Sequence, residues 1–92
     1  GFERNDEFEK EIAARTNFDG PFLSKVRQYK KISLEQIVKE TRISRTYLMA
    51  IEADDFASLP APVFLRGFVI QFARYLGLNE NLVASSYMAR IK

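Results

Sequence analysis

Few side chains in this chain are equipped for bond-making chemistry. It has no His and no Cys, which removes imidazole bases, thiol nucleophiles and the usual zinc ligands. Asp54 and Asp55 are adjacent acids, but they fall in a connecting segment where solvation accounts for them better than acid–base work. The chemistry that remains is recognition. Arginine pairs with carboxylates, phosphates and guanine edges, and aromatic side chains anchor apolar interfaces. Candidates gather in two stretches: Arg42 and Arg45 with the hydroxyl of Thr46 in one, and Phe64, Arg66, Phe68, Phe72, Arg74 and Tyr75 in the other. The expectation is a non-catalytic binding module that needs no cofactor and no metal.

The second stretch lies on the most apolar run of the chain, Leu59 to Gly77, which carries its own start and stop signals. Proline suits the first turn of a helix, where an N–H has no partner anyway, and glycine suits the left-handed position just past the end. Pro62 and Gly77 therefore bracket a helix over residues 62–76. At 100° per residue its apolar side chains cover an arc of about 180°, wider than a surface helix needs for one core. The helix should be contacted on more than one side. Phe72 falls near the middle of the arc and reads as core. Phe64 and Tyr75 fall at its edge with Phe68 next in, and aromatics at the rim of a packed face are candidate interface anchors. Val63 and Ile70 sit in the otherwise polar sector beside Arg66 and Arg74.

The remaining elements have to hold this helix in place. Residues 21–31 carry Phe22, Leu23, Val26 and Tyr29 at helical spacing. Ser33 with Gln36 three residues on is a capping-box pattern opening a helix over 33–40, and Ser44 caps another over 44–53. Two short helices joined by a tight turn make a helix-turn-helix. Phe56 and Leu59 read as plugs in the connection to the central helix, and Asn79 caps a last helix over 79–90. Five helices and no strand make the chain all-α. The 92 residues form one domain at 20–92 behind an acidic leader or linker at 1–19. The leader has Phe8 and Ile12 one turn apart and six acids against three bases. So thin an apolar face suggests a frayed helix over 3–15, with Phe18 the residue most apt to tuck under the domain. Residues 20–92 hold eleven bases against six acids, a weak pointer to a polyanion. Arg66 and Arg74 interrupt the longest apolar run and the start is acidic, so neither a membrane span nor a signal peptide is expected. The reading is a cytoplasmic segment, either whole or the cytoplasmic part of a membrane-anchored protein.

The order of motifs resembles a known family. G-x-x-L (Gly20–Leu23), I-S-L-E-x-I (Ile32–Ile37), T-x-I-S (Thr41–Ser44), Y-L-x-A-I-E (Tyr47–Glu52), D-F-x-x-L-P (Asp55–Pro60), P-V-F-L-R-G-F (Pro62–Phe68) and A-R-Y-L-G-L (Ala73–Leu78) follow one another as in the RodZ-like helix-turn-helix domain. That resemblance implies a lambda-repressor-like fold extended by two helices, in a bacterial cell-shape protein. It also implies docking onto the actin-like filament protein MreB, through positions that correspond here to Phe64 and Phe68, flanked by Arg66 and Arg74.

Two functions therefore compete. In the first, a protein partner docks on the central helix through Phe64, Phe68, Arg66 and Tyr75. In the second, the helix-turn-helix binds DNA. The second helix would enter the major groove with Arg45, Thr46 and Ala50 facing bases, and Lys39, Arg42, Lys30 and Lys31 would lie near phosphates. Ala50 offers only a methyl group, and Glu52, Asp54 and Asp55 place three acids near the expected backbone path. Docking of a protein is the preferred reading.

Overall fold

The computed structural model describes residues 2–91. Six α-helices follow one another: α1 (Asp6–Ala14), α2 (Gly20–Tyr29), α3 (Leu34–Thr41), α4 (Arg45–Ala53), α5 (Pro62–Tyr75) and α6 (Glu80–Met88), with a 3₁₀ turn at Phe56–Ser58 before α5. There is no strand among the described residues. The starts are local in origin. Asn5, Asp19, Ser33, Ser44 and Asn79 each place a side-chain oxygen on a first-turn N–H, satisfying donors that a helix cannot satisfy itself. Ser33 and Gln36 complete the capping box in both directions. Gly77 follows α5 at φ 75°, the left-handed turn expected of it.

The core is apolar throughout. Leu23 and Val26 of α2, Ile37 of α3, Leu48 and Ile51 of α4, Leu65, Val69 and Phe72 of α5, and Val83 and Tyr87 of α6 are sealed from solvent. α5 and α6 share the most extensive helix contact, with α2 against α4 next. The α2–α4 contact is tied by Arg27, whose guanidinium donates to both carboxylate oxygens of Glu52 and to the carbonyl of Ile32. That pairing turns Glu52 inward and takes it out of any charge field around α4.

The leader differs from its expectation of a frayed, poorly packed segment. α1 lies on α2, with Phe8 buried at 7% exposure and Ile12 half-buried. The Phe8 ring meets Tyr29 edge-on at 4.8 Å and tilts over Phe22 at 5.8 Å. Tyr29 also ties the helix through its hydroxyl, which donates to Glu9 at 2.6 Å and accepts from the Asn5 N–H at 2.8 Å. Phe18 is buried as expected, and its N–H donates to the Ser86 hydroxyl of α6. One apolar side chain per turn suffices because aromatic partners on α2 surround it on several sides.

Asp54 is the second departure. It is a half-buried junction and not a solvated linker acid. Its carboxylate accepts two hydrogen bonds from Arg90 at 2.9 Å each and one from the Gly20 N–H at 2.9 Å, so one side chain joins the end of α4, the start of α2 and the residues after α6. Gly20 is needed there. A Cβ would fall against the Ile51 carbonyl and within 2.6 Å of the Glu52 carbonyl. Tyr87, in the same corner, donates to the Ile51 carbonyl, and burial pushes its phenol well above the usual range. Phe56 departs as well: it stays 37% exposed, edging against Tyr87 and lying under the Arg90 guanidinium, so it is not a plug, whereas Leu59 is half-buried.

Candidate functional site

α5 buries Leu65, Val69, Phe72 and Ala73, and its opposite face looks outward. The excess width of its apolar arc is thus only partly covered by neighbours. Val63 is 77% exposed and Phe64 63% exposed, side by side in the first turn. Leaving a large apolar side chain in water forgoes about 1.5–3 kcal/mol that burial would supply, so two such residues in one helical turn mark a surface with a use. Phe68, one turn on, is half-buried and stacks on Tyr47 of α4 with centroids 5.8 Å apart. The patch therefore runs from the exposed ring of Phe64 onto a half-buried Phe68–Tyr47 stack one turn on.

The charges that α5 itself carries have one sign. α5 contains no acid, Arg66 is exposed without a carboxylate in ion-pair range among the described residues, and Arg74 pairs with Glu80 at 2.6 Å. Tyr75 is half-buried beside Thr41, Gln71 and Arg74 on the α3 side. At 1.5 Å per residue it stands about 16 Å along the axis from Phe64, so the four expected docking residues do not form one cluster: Phe64 and Phe68 lie one turn apart on the same side of α5, Arg66 lies two residues from each and so around the helix from both, and Tyr75 is distant. Sequence reasoning passed over Val63 and Tyr47. Val63 was visible as an apolar residue in the polar sector of the helix; the Tyr47 contact needs the tertiary fold.

Gly67 sits between Phe64 and Gln71 on this outer face. A Cβ built there meets nothing within 4 Å. Its φ is not positive, unlike that of Gly77. A glycine inside a helix costs roughly 0.5–1 kcal/mol relative to alanine, and here no neighbour within the domain requires it.

The helix-turn-helix face is less open to DNA than the sequence implied. Arg45 is exposed, but its Nε donates to Glu35 at 2.7 Å and its Nη1 to the Met49 sulfur at 3.2 Å. The Arg45 hydrogen bond also holds the Glu35 carboxyl below its ordinary pKa. Ala50 is not base-facing: at 6% exposure it is part of the buried side of α4, which turns Met49 outward in its place. Lys30 does not hang free near a backbone path either, because its ammonium caps the Leu76 carbonyl at the end of α5. Thr46, Lys39, Lys31 and Arg42 are exposed, the last two in left-handed backbone at φ 60° and 63°. Arg42 and Lys31 close the ends of α3 and α2, so both serve the turns as well as the surface.

Compared with known proteins, residues 22–83 match the family described as a helix-turn-helix domain. The cytoskeleton protein RodZ of Streptococcus pneumoniae (strain ATCC BAA-255 / R6) is 35% identical over 68 residues, which are 74% of this chain and 25% of that protein. The chain spans about a quarter of that relative's length. No solved structure matches it significantly. The capped helix pair, the turn between them and the proline-led helix that follows lie inside the matched stretch, and the chain belongs to the helix-turn-helix domain family in its RodZ-like form.

Proposed function

We propose that this domain is a non-catalytic docking module that binds an actin-like filament protein of the MreB kind through the outer face of α5, on the cytoplasmic side of a bacterial cell-shape protein. The observation that carries the reading is the exposure of Phe64 and Val63 beside the half-buried Phe68–Tyr47 stack. An exposed aromatic on a helix that also exposes Arg66, without an ion-pair partner among the described residues, has the composition of an interface anchor, and the likeness to RodZ supplies the class of partner. DNA binding has weaker support, since Arg45 is engaged by Glu35 and Ala50 is inside.

Co-sedimentation with polymerised MreB-like protein tests the proposal. Phe64→Ala should cost about 2 kcal/mol or more of binding while leaving the melting temperature close to that of wild type, because the ring has little to lose in the fold. Phe72→Ala is the opposite control: that residue is sealed in the core, and its truncation should cost about 3–5 kcal/mol of stability. Normal filament binding by folded Phe64→Ala refutes the proposal. Duplex binding that weakens steeply with salt and is abolished by Arg45→Ala would favour the helix-turn-helix face instead.

A further inference from the structure

The docking reading leaves Gly67 unexplained, and the geometry of its surroundings extends that reading. Val63 and Phe64 stand one turn before it and Ile70 and Gln71 one turn after, so the bare Cα is the floor of a notch between two ridges. Nothing inside the domain fills the notch, and nothing inside the domain would collide with a side chain placed there. Two helices settle 8–10 Å apart according to the side chains between them, and a residue without a side chain lets the backbones come closest. The charge next to the notch is positive, with Arg66 lacking an ion-pair partner among the described residues and α5 having no acid of its own.

We infer that Gly67 is the crossing point at which a helix of the partner lies against the α5 backbone, and that this helix is apolar where it meets Phe64 and Gly67 and acidic where it faces Arg66. The inference rests on the docking proposal and adds to it the shape and charge of what docks. Gly67 is then a specificity residue: it admits a helix into the notch, while a flat or loop-borne surface would need only the Phe64 ring.

The test uses the same sedimentation assay with polymerised MreB-like protein, together with thermal melts, on Gly67→Ala, Gly67→Leu, Arg66→Glu and Phe64→Ala. Gly67→Ala should melt about 2 to 8 °C higher than wild type, because alanine is the better helix former and the added methyl meets no neighbour. It should bind more weakly all the same. Gly67→Leu should fold and lose about tenfold or more in affinity, as should Arg66→Glu. Opposite signs for stability and binding in Gly67→Ala are the signature of a glycine kept for a partner. If Gly67→Leu binds like wild type while Phe64→Ala does not, close approach is overturned and the docking proposal stands. If Arg66→Glu alone binds like wild type, the acidic flank is overturned. A Gly67→Ala protein that melts no higher than wild type also overturns the inference, since the glycine would then serve the fold. Wild-type protein that fails to sediment, or Phe64→Ala that sediments normally, overturns the docking proposal itself and this inference with it.

Discussion

Phe8→Ala measures whether α1 belongs to the cooperative unit. The ring is 7% exposed and is held by Tyr29 at 4.8 Å and Phe22 at 5.8 Å, with the Lys25 ammonium 5.0 Å from its centroid. Burying a phenylalanine contributes about 1.5–3 kcal/mol, and edge-on aromatic contacts add about 0.5–1.5 kcal/mol. α1 lies at the periphery and can settle into part of the space left behind, which brings the cost to or just below the lower end of the roughly 3–5 kcal/mol range for Phe→Ala. The expected loss is about 2–4 kcal/mol. Total stability for a domain of this length is on the order of 5–14 kcal/mol, so the loss is a large fraction of it. The melting temperature, followed by circular dichroism at the helix band, should fall on the order of 10–30 °C. A fall of less than about 3 °C would refute the reasoning, as would free amide exchange across Asp6–Ala14 while α2 stays protected. Either result would mean that α1 opens independently of the helices beneath it.

Two further outcomes follow from the corner where α2, α4 and α6 meet. Asp54→Asn keeps a residue tolerant of left-handed backbone at φ 53° but removes the charge that Arg90 pairs with, and should cost about 2 kcal/mol by denaturant titration; Gly20→Ala, whose methyl would strike the Ile51 and Glu52 carbonyls, should cost at least as much. Alkaline pH supplies an independent check on the tyrosines. Tyr87 is raised chiefly by burial, and Tyr29 chiefly by desolvation with help from its bond to Glu9, so the folded state holds both phenolic protons more tightly than the unfolded chain does. Their contribution is whole below about pH 10 and is lost as pH rises above it, so the midpoint of urea unfolding should drop between about pH 10 and 12. A difference-absorbance titration of the folded protein should then show Tyr87 un-ionised until the fold gives way; ionisation of all four tyrosines near pH 10 with helix content intact would contradict the buried Tyr87 geometry.

The sequence by itself determined whatever depends on neighbours a few residues apart. The caps at Ser33, Ser44 and Asn79, the proline start and glycine stop of α5, and the core position of Phe72 follow from local hydrogen bonding and from helical periodicity, and the structure has them where the residues put them. The edge position of Phe64 was legible for the same reason. What only the tertiary structure decided depends on how the helices are rotated against one another. Phe8 looked like too thin an anchor because Tyr29, which closes over it, is distant in sequence. Asp54 looked solvated because Gly20 and Arg90, which it joins, lie 34 and 36 residues away. Lys30 looked available because the carbonyl it caps is 46 residues on, and Ala50 looked base-facing because the rotation of α4 is set by its packing on α2 rather than by its own sequence. Periodicity shows which residues share a face; which face meets solvent is decided only when the neighbouring helices have claimed theirs, and on α5 they leave Val63, Phe64 and Gly67 uncovered.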